Sequence, residues 1–173
     1  VVSKKDRYLV KRLKKESKRL RKMVEETLEL SKLESSEAFN KNKKISISDL
    51  VMESWQTLKP LAEKKDVKIN LLIPTKYFIS GDIENLKRAF INILDNAIRY
   101  SPANEEIQIE IFKRDSSVVM RVRDKGIGLE ENEFNDIFSR FYRGDPSRTK
   151  FKKSGSGLGL SITKKIINNN KGF

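Results

Sequence analysis

The stretch DIENLKRAFINILDNAIRY, residues 82–100, contains the strongest helical pattern in the sequence. Asp82 is a favourable residue for the helix N-cap, and the apolar residues after it recur at intervals of three and four. The residues predicted to form one buried face are Leu86, Ala89, Phe90, Ile93, Leu94, Ala97 and Ile98. A helix with one apolar face must pack against other elements, so we expect this segment to lie on the core of a folded domain.

Two asparagines lie on the same helix, beside its apolar face. Asn92 and Asn96 are one turn apart, so their side chains share one face. They could simply hydrogen-bond to nearby backbone, because buried amides need partners. Alternatively, their amide oxygens could be neutral ligands for Mg²⁺, which prefers oxygen donors. In that case Arg99 and Tyr100, one turn further on, would reach toward phosphates at the same metal.

Helices and strands are mixed in the rest of the sequence without alternating strictly. Helices are predicted over residues 4–34, 48–65 and 131–139 and from about Gly157, and strands over residues 43–48, 67–73, 76–80, 106–113 and 117–124. Ser48 is predicted to cap the second helix and Pro60 to kink it. The mixture predicts the α+β class, as a two-layer α/β sandwich preceded by one long helix.

The first helix carries an apolar stripe with the spacing of a helical bundle or coiled coil. The residues of the stripe are Leu9, Leu13, Leu20, Met23, Val24, Thr27, Leu28, Leu30 and Leu33. Because the rest of the chain offers no second helix of similar length, we expect another chain, or a segment outside this sequence, to cover the stripe. The polar segment 34–44 that follows is predicted to be a linker.

The positive charge is concentrated in that first helix. The sequence has a formal net charge of +13, and residues 4–22 contain eleven Lys or Arg with only Asp6 and Glu16 against them. Such a segment could bind nucleic acid or an anionic membrane. Its basic residues are interspersed with apolar ones at helical spacing, and no aromatic platform accompanies them, so a solvated helix face is the favoured interpretation.

The composition excludes several kinds of chemistry. The sequence has no cysteine and no histidine, so it offers neither a disulfide nor an imidazole base, nucleophile or metal ligand. No apolar stretch approaches the roughly 20 residues that a membrane-spanning helix needs, and no signal peptide is recognised. These features suit a soluble protein in a reducing compartment.

RVRDKGIGLEE, residues 121–131, places a glycine-containing turn after a predicted strand. A glycine pair in this position is usually only a turn. However, Asp124 at the strand end, in a mostly apolar pocket, could accept a hydrogen bond from an exocyclic amine. Gly126, Ile127 and Gly128 would then let a flat ring lie against the backbone.

FSRFYRGDPSRTKFKKSGSGLGL, residues 138–160, joins two phenylalanines to a cationic loop and a glycine-rich helix start. The charged residues of the loop are Arg143, Asp145, Arg148, Lys150, Lys152 and Lys153. The loop could be merely solvated. Yet glycines at a helix start favour phosphate binding, because unpaired amides and the helix dipole point toward an anion there. No Walker lysine motif is present, so the segment is not a P-loop.

The order of these four motifs resembles the ATP-binding domain of sensor histidine kinases. N-x3-N is followed by D-x-G-x-G, then F-x2-F-Y-R, then G-x-G-x-G, as in the N, G1, F and G2 boxes of that family's Bergerat fold. The resemblance covers residues 45–172. Upstream, LELSKLESSE (28–37) is similar to the end of the second helix of the dimerisation and histidine-phosphotransfer domain. The implied domains are residues 1–36, a linker at 37–44 and an ATP-binding domain at 45–173.

The resemblance implies a role for each candidate residue. Asn96, with Asn92 beside it, would hold Mg²⁺, and Asp124 would recognise the adenine amine. The residues implied in base binding are Gly126, Ile127 and Gly128, and those implied near the phosphates are Arg99, Tyr100, Arg143, Gly155, Ser156, Gly157, Leu158 and Gly159. The implied catalytic set is Asn92, Asn96, Arg99 and Arg143, with ATP and Mg²⁺ as cofactors.

The same resemblance implies a kinase rather than a hydrolase. Gyrase-type ATPases, heat-shock chaperones and mismatch-repair proteins of this fold carry a glutamate base where this sequence has Asn92, and a neutral amide cannot take a proton from water. The implied reaction transfers the ATP γ-phosphoryl group to a histidine outside this chain and then to a response-regulator aspartate. Without a histidine, this chain cannot phosphorylate itself.

The resemblance also implies partners and a location. The implied partners are a second copy, through the first helix and its missing partner helix, and a response-regulator receiver domain. The phosphoacceptor helix and the strands that close the family's sheet are missing, so we expect a cytoplasmic fragment of a longer, membrane-anchored sensor with an open sheet edge. Two alternatives remain: a nucleotide-sensing module without transfer, and a basic coiled coil that binds nucleic acid through residues 4–22.

Overall fold

The structure, a computed structural model, describes residues 3–35, 43–144 and 155–172. The helices are α1 (Lys4–Glu34), α2 (Ile47–Lys64), α3 (Ile83–Tyr100) and α4 (Gly159–Asn169), with a short 3-10 helix at Glu131–Glu133. The strands are β1 (Lys43–Ser46), β2 (Lys68–Leu72), β3 (Phe78–Gly81), β4 (Glu106–Arg114) and β5 (Ser117–Arg123). Among the described residues, no helix combines the length and the apolar character required to span a bilayer.

The main sheet is mixed, as predicted for the α+β class. Its strand order is β2-β4-β5, with β4 parallel to β2 and antiparallel to β5. A separate antiparallel pair is formed by β1 and β3. In the central strand β4, side chains alternate between the two faces, so Ile107, Ile109 and Ile111 are all buried on one face. The opposite face is polar, and there Glu110 forms ion pairs with Arg121 and Arg123.

The core lies between the buried face of the sheet and the helices α2, α3 and α4. Fully buried side chains from the helices are Val51, Phe90, Leu94, Ile98, Ile162 and Ile166. Burying one large aliphatic or aromatic side chain contributes about 1.5–3 kcal/mol. The side chains buried in this layer therefore supply most of the free energy that stabilises the fold. The predicted two-layer arrangement with a long first helix is confirmed.

Three sequence-based details differ from the structure. The first concerns the start of α2, where Ser46, not Ser48, is the N-cap and accepts a hydrogen bond from Asp49 N at 3.3 Å. The β1–β3 ladder ends at Ser46, and Ile47 is buried in the first helical turn. The alternation of apolar and polar residues continues to Ser48, and for this reason the sequence-based prediction placed the N-cap two residues too late.

The second difference is the predicted helix at residues 131–139, of which only the 3-10 helix Glu131–Glu133 forms. Several of the following backbone hydrogen bonds span three residues, as between Ser139 N and Asp136 O. Phe134 and Phe138 are 54% and 37% exposed. Without a buried apolar face, a segment this short does not gain enough from packing to complete an α-helix.

The third difference concerns the burial of one residue in α3 and the first residue of α4. Ile93 was predicted to be buried but is only half-buried, one turn from Asn96 on the side of α3 that faces away from the centre of the core. The last helix begins at Gly159 rather than near Gly157, because Gly157 has a left-handed φ of 80° that a right-handed helix does not contain.

The helix α1 is covered by the rest of the chain only near its C-terminal end. Leu30 and Leu33 are buried, and Asn169 Nδ2 from α4 donates a hydrogen bond to Leu33 O at 2.9 Å. The exposed large residues of α1 are Tyr8, Leu9, Val10, Leu13, Leu20, Val24 and Leu28. The expectation of an external partner is therefore wrong for Leu30 and Leu33, and it stays a prediction for the exposed part of the stripe.

Ion pairs add to this attachment of α1. Arg88 on α3 pairs with Glu29, and Arg140 pairs with Glu34. Burial raises the pKa of the Glu29 carboxyl, even though the Arg88 charge acts in the opposite direction. The C-terminal part of α1 is thus joined to the core by both apolar and charged contacts.

The N-cap of α3 gives a direct test of the fold. Asp82 Oδ1 accepts hydrogen bonds from Glu84 N at 3.0 Å and from Asn85 N at 3.1 Å, as the sequence predicted. We expect Asp82→Ala to lower the free energy of unfolding by about 1 kcal/mol, the usual effect of removing a cap. Urea denaturation measures it, with Lys18→Ala in the exposed middle part of α1 as control. Equal stabilities of the two variants would contradict this role of Asp82.

Candidate functional site

The helix α3 is the element along which the predicted motifs meet. A Cβ atom placed on Gly159 would lie 3.6 Å from Asn92 Cγ, and one placed on Gly126 would lie 3.2 Å from Tyr100 O. Positions 92, 96 and 100 follow one another at intervals of one turn, about 5.4 Å each. The two glycine-containing turns therefore contact α3 about 11–12 Å apart, and Asn96 lies midway between them.

The side chain of Asn92 is joined to the first turn of α4. Its Nδ2 donates a hydrogen bond to Gly159 O at 3.1 Å, and Thr163 Oγ1 lies 3.5 Å away. Of the two interpretations of this residue, bonding to nearby backbone is therefore confirmed for its nitrogen. Because the nitrogen is engaged, the orientation of the carboxamide is fixed, and within the described ranges no donor is bonded to its oxygen.

Asn96 differs from Asn92 in its hydrogen bonding. Its side chain is half-buried, and within residues 3–35, 43–144 and 155–172 it has no hydrogen-bond partner. Half-buried amides are normally paired with protein groups or water. Between the two glycine-containing turns, the carboxamide of Asn96 is therefore available to a ligand or to water, since no described residue bonds to it.

The turn after β5 is organised by the carboxylate of Asp124. Its Oδ1 accepts a hydrogen bond from Gly126 N at 2.8 Å. Asp124 is exposed rather than enclosed in the apolar pocket that the sequence suggested, and Ile127 is 44% exposed beside it. A Cβ atom on Gly126 would lie 2.7 Å from Asp124 Oδ1 and 3.2 Å from Tyr100 O, so a side chain here would displace the Asp124 carboxylate from its hydrogen bond. Gly128 completes the turn at a φ of 66°.

The glycine-rich segment before α4 is held against residues 141–142. A Cβ atom on Gly157 would lie 2.7 Å from both Phe141 C and Tyr142 O, and its φ is 80°. Leu158 is 1% exposed, so its side chain belongs to the core and only its backbone can face a ligand. Ser156 Oγ accepts a hydrogen bond from Leu158 N at 3.2 Å. Gly155 has open space around it.

The N-terminus of α4 lies directly after this segment. Its N-cap, Leu158, provides no side-chain hydrogen bond to the first turn. The first amides of a helix lack partners within the helix and carry the positive end of its dipole. The start of α4 therefore offers backbone donors next to Asn92, in an arrangement that suits an anion.

The predicted cationic residues are only partly described. Arg99 Nε donates a hydrogen bond to Asp95 Oδ2 at 2.7 Å, and Tyr100 beside it is 43% exposed. Arg143 is half-buried and directly follows Tyr142, which contacts Gly157. The remaining charged residues of the loop, Asp145, Arg148, Lys150, Lys152 and Lys153, lie outside the described residues.

The structure adds two residues to this region that the sequence did not indicate. Lys65 Nζ donates hydrogen bonds to the backbone oxygens of Ile98, at 2.7 Å, and of Arg99, at the end of α3. Ser101, the next residue after α3, is fully buried, and its hydroxyl has no partner among the described residues. Both depend on how α2 and α3 pack, so no local sequence signal could have revealed them.

Comparison with known proteins identifies the class. Residues 81–172 match the family described as histidine kinase-, DNA gyrase B- and HSP90-like ATPases. This match spans more than half of the chain and contains Asn92, Asn96, Asp124 and the glycine-rich segment. The chain therefore belongs to this ATPase family, and the predicted resemblance to the catalytic domain of sensor histidine kinases is confirmed.

Relatives with similar sequences are named as sensor kinases. The sensor-like histidine kinase SenX3 of Mycolicibacterium smegmatis is 32% identical over 166 residues, which are 96% of this chain and 43% of the relative. The sensor histidine kinase CusS of Escherichia coli is 34% identical over 154 residues, which are 89% of this chain and 32% of the relative. The chain thus spans less than half the length of these relatives.

Solved structures share the fold. The mycobacterial sensor histidine kinase MprB is 25% identical, with a TM-score of 0.66 and coverage of 75% of this chain and 80% of that one. The histidine kinase AdeS of Acinetobacter baumannii is 21% identical, with a TM-score of 0.73 and coverage of 94% and 73%. At this identity the AdeS likeness shows the fold alone, and it extends over nearly the whole chain, α1 included.

The first two glycines of the glycine-rich segment provide a test of its geometry. We expect Gly157→Ala to displace residues 141–142, because its Cβ would meet their backbone and its φ is left-handed. Gly155→Ala is the control, since the space around Gly155 is open. Backbone amide chemical shifts should change at Phe141 and Tyr142 in the first variant only. Unchanged shifts in both variants would contradict the close contact.

Proposed function

We propose that this chain is the Mg·ATP-binding catalytic part of a two-component sensor histidine kinase. It would transfer the γ-phosphoryl group of ATP to a histidine outside this sequence, for onward transfer to a response-regulator aspartate. The observation that carries the proposal is the carboxamide of Asn96, which no described residue bonds and which lies between the Gly126 turn and the start of α4 on a single helix. Membership of the ATPase family supports the nucleotide.

The turn after β5 would bind the adenine base. Asp124 uses one carboxylate oxygen for Gly126 N, which leaves its other oxygen for the exocyclic amine of a purine. The close approach of Gly126 to Tyr100 O keeps this turn flat against the end of α3. Ile127 and Gly128 would form the surface on which the ring lies.

The donor set between the turns fits a magnesium ion held together with phosphates. Asn96 and Asn92 both present amide oxygens that accept no hydrogen bond among the described residues. Within those ranges, no group of three or more acidic, histidine or cysteine side chains could hold a metal alone. Mg²⁺ commonly takes only one or two protein ligands and completes its shell with water and phosphate oxygens. The bound ATP would supply the phosphoryl group, and Mg²⁺ would neutralise part of the negative charge of the phosphates.

Backbone amides and cations would position the phosphates. Gly155, Ser156, Gly157 and Gly159 would present backbone donors at the positive end of α4, while the amide of Leu158 already donates to Ser156 Oγ. Arg143 directly follows Tyr142, whose carbonyl oxygen lies close to Gly157. Arg99 is held by Asp95 in the last turn of α3, beside Tyr100, so its side chain is positioned one turn from Asn96. Phosphoryl transfer requires mainly such positioning and charge stabilisation.

Asn92 favours transfer over hydrolysis. A base that activates water must accept a proton, and a neutral carboxamide cannot. Its nitrogen is also engaged by Gly159 O, so its side chain cannot easily reorient. We therefore expect slow release of phosphate to water. The sequence contains no histidine, so the phosphoryl acceptor must come from another segment or chain.

The exposed part of α1 supports one of the two proposed partners, a second copy of the chain. We propose that its apolar stripe packs in a helical bundle of a homodimer, and that a receiver domain accepts the phosphoryl group afterward. Residues 1–36 would then form part of the dimerisation and phosphotransfer domain, and 45–173 the ATP-binding domain. We further propose that the chain is a cytoplasmic part of a longer, membrane-anchored sensor; the greater length of the relatives, which are named as sensor kinases, supports the longer protein.

The base-binding role of Asp124 is tested by an isosteric change. We expect Asp124→Asn to weaken ADP binding at least tenfold, because one acceptor becomes a donor that opposes the adenine amine. The matched control is Asp115→Asn in the exposed turn between β4 and β5. Titration calorimetry measures both. Wild-type affinity in Asp124→Asn would show that this carboxylate does not recognise the base.

The transfer step is tested in trans. The chain is incubated with γ-labelled ATP, Mg²⁺ and a separate helical fragment that carries a phosphoacceptor histidine from a sensor kinase. We expect acid-labile label on that fragment, none on a fragment with His replaced by Gln, and little free phosphate. Nucleotide binding without any label on the fragment would instead favour the nucleotide-sensing module.

A further inference from the structure

Lys65 links the end of α2 to the end of α3. It is the C-cap residue of α2, and its Nζ donates hydrogen bonds to Ile98 O at 2.7 Å and to Arg99 O. The last four carbonyl groups of a helix have no partner within the helix. Lys65 satisfies two of these groups in α3, and its positive charge lies at the negative end of the α3 dipole.

The backbone around Lys65 is itself firmly anchored. Val67 is buried and its amide bonds to Ala62 O at 3.0 Å. Asp66 O accepts a hydrogen bond from Asn104 N at 2.7 Å, and Lys68 N bonds to Glu105 O at the start of β4. The lysine therefore extends from a fixed turn, so its hydrogen bonds constrain α3 rather than merely following it.

The end of α3 is also the surface on which the base-binding turn rests. Tyr100 O and Tyr100 C lie 3.2 and 3.3 Å from the position of a Cβ on Gly126, whose amide bonds to Asp124. Gly126 therefore lies close to the last turn of α3, and a movement of this turn would change the backbone surface beside Gly126. Lys65 touches the carbonyls of the two residues immediately before Tyr100.

We propose that Lys65 is a positioning residue for purine recognition: it holds the last turn of α3 in place, so that Asp124 is aimed at the exocyclic amine. This inference rests on the proposed function of the Asp124 turn. Burial and the charge of Arg99 lower the pKa of Lys65, so placing an ammonium group here opposes folding slightly. The hydrogen bonds that the Lys65 ammonium group donates to α3 offset this unfavourable effect.

The test compares adenine and hypoxanthine nucleotides. Lys65→Met keeps most of the apolar stem but removes the donors, and Lys65→Arg keeps a cation with donors. The matched control is Lys64→Met at the exposed preceding position. ADP and IDP affinities are measured by calorimetry, because IDP lacks the exocyclic amine that Asp124 would bind. Thermal unfolding and circular dichroism verify that each variant is folded.

We expect Lys65→Met to weaken ADP binding about tenfold, because a displaced Asp124 would lose its hydrogen bond to the exocyclic amine, and a bond to a charged acceptor carries at least that factor. IDP binding should change much less. Lys65→Arg should restore most of the preference for ADP, and Lys64→Met should match wild type. An equal loss for ADP and IDP, or no loss for either, would overturn the positioning role. If Lys65→Met does not fold, Lys65→Gln replaces it under the same criteria.

This experiment separates the inference from the function on which it rests. Wild-type protein that binds neither nucleotide would contradict the proposed function. Wild-type protein that prefers ADP, together with a Lys65→Met variant that keeps the same preference, would contradict only the role of Lys65.

Discussion

The packing of α3 determines where every part of the candidate site lies. Phe90, Leu94 and Ile98 fix one face of the helix in the core, so the face with Asn92 and Asn96 has a fixed direction. Two glycine-containing turns contact that helix at Asn92 and Tyr100. Because a helix is rigid over two turns, the separation of these contacts is set by α3 and not by the loops.

The two asparagines on one face of α3 differ in role: one joins two helices, and the other is available to a ligand. Asn92 donates to Gly159 O and so helps join α3 to α4, whereas the side chain of Asn96 has no partner in the described parts of the chain. Both are neutral, so they add no negative charge beside a polyanion. A carboxylate at position 92 would supply a base for the activation of water, as a hydrolase requires, and an amide does not.

The sequence was most informative where the pattern is local. The cap at Asp82 and the periodicity of α3 needed only neighbouring residues, and the order of four short motifs identified the family. It was least informative where tertiary packing decides. Ser46 replaces Ser48 as a cap because β1 ends there, residues 134–139 form turns because they bury no apolar face, and Lys65 was missed because its partners are 33 and 34 residues away.

The uneven attachment of α1 gives the molecule a lever arm. The helix has 31 residues and is therefore about 46 Å long. Among the described residues, the ion pairs and hydrogen bond that join it to α3, α4 and Arg140 come from Glu29, Leu33 and Glu34, near its C-terminal end. Roughly 30 Å of helix thus projects from a short pivot. A tilt of about 10° at that pivot moves the far tip by roughly 5 Å. A force applied at the tip is therefore magnified where it reaches the Glu34–Arg140 pair.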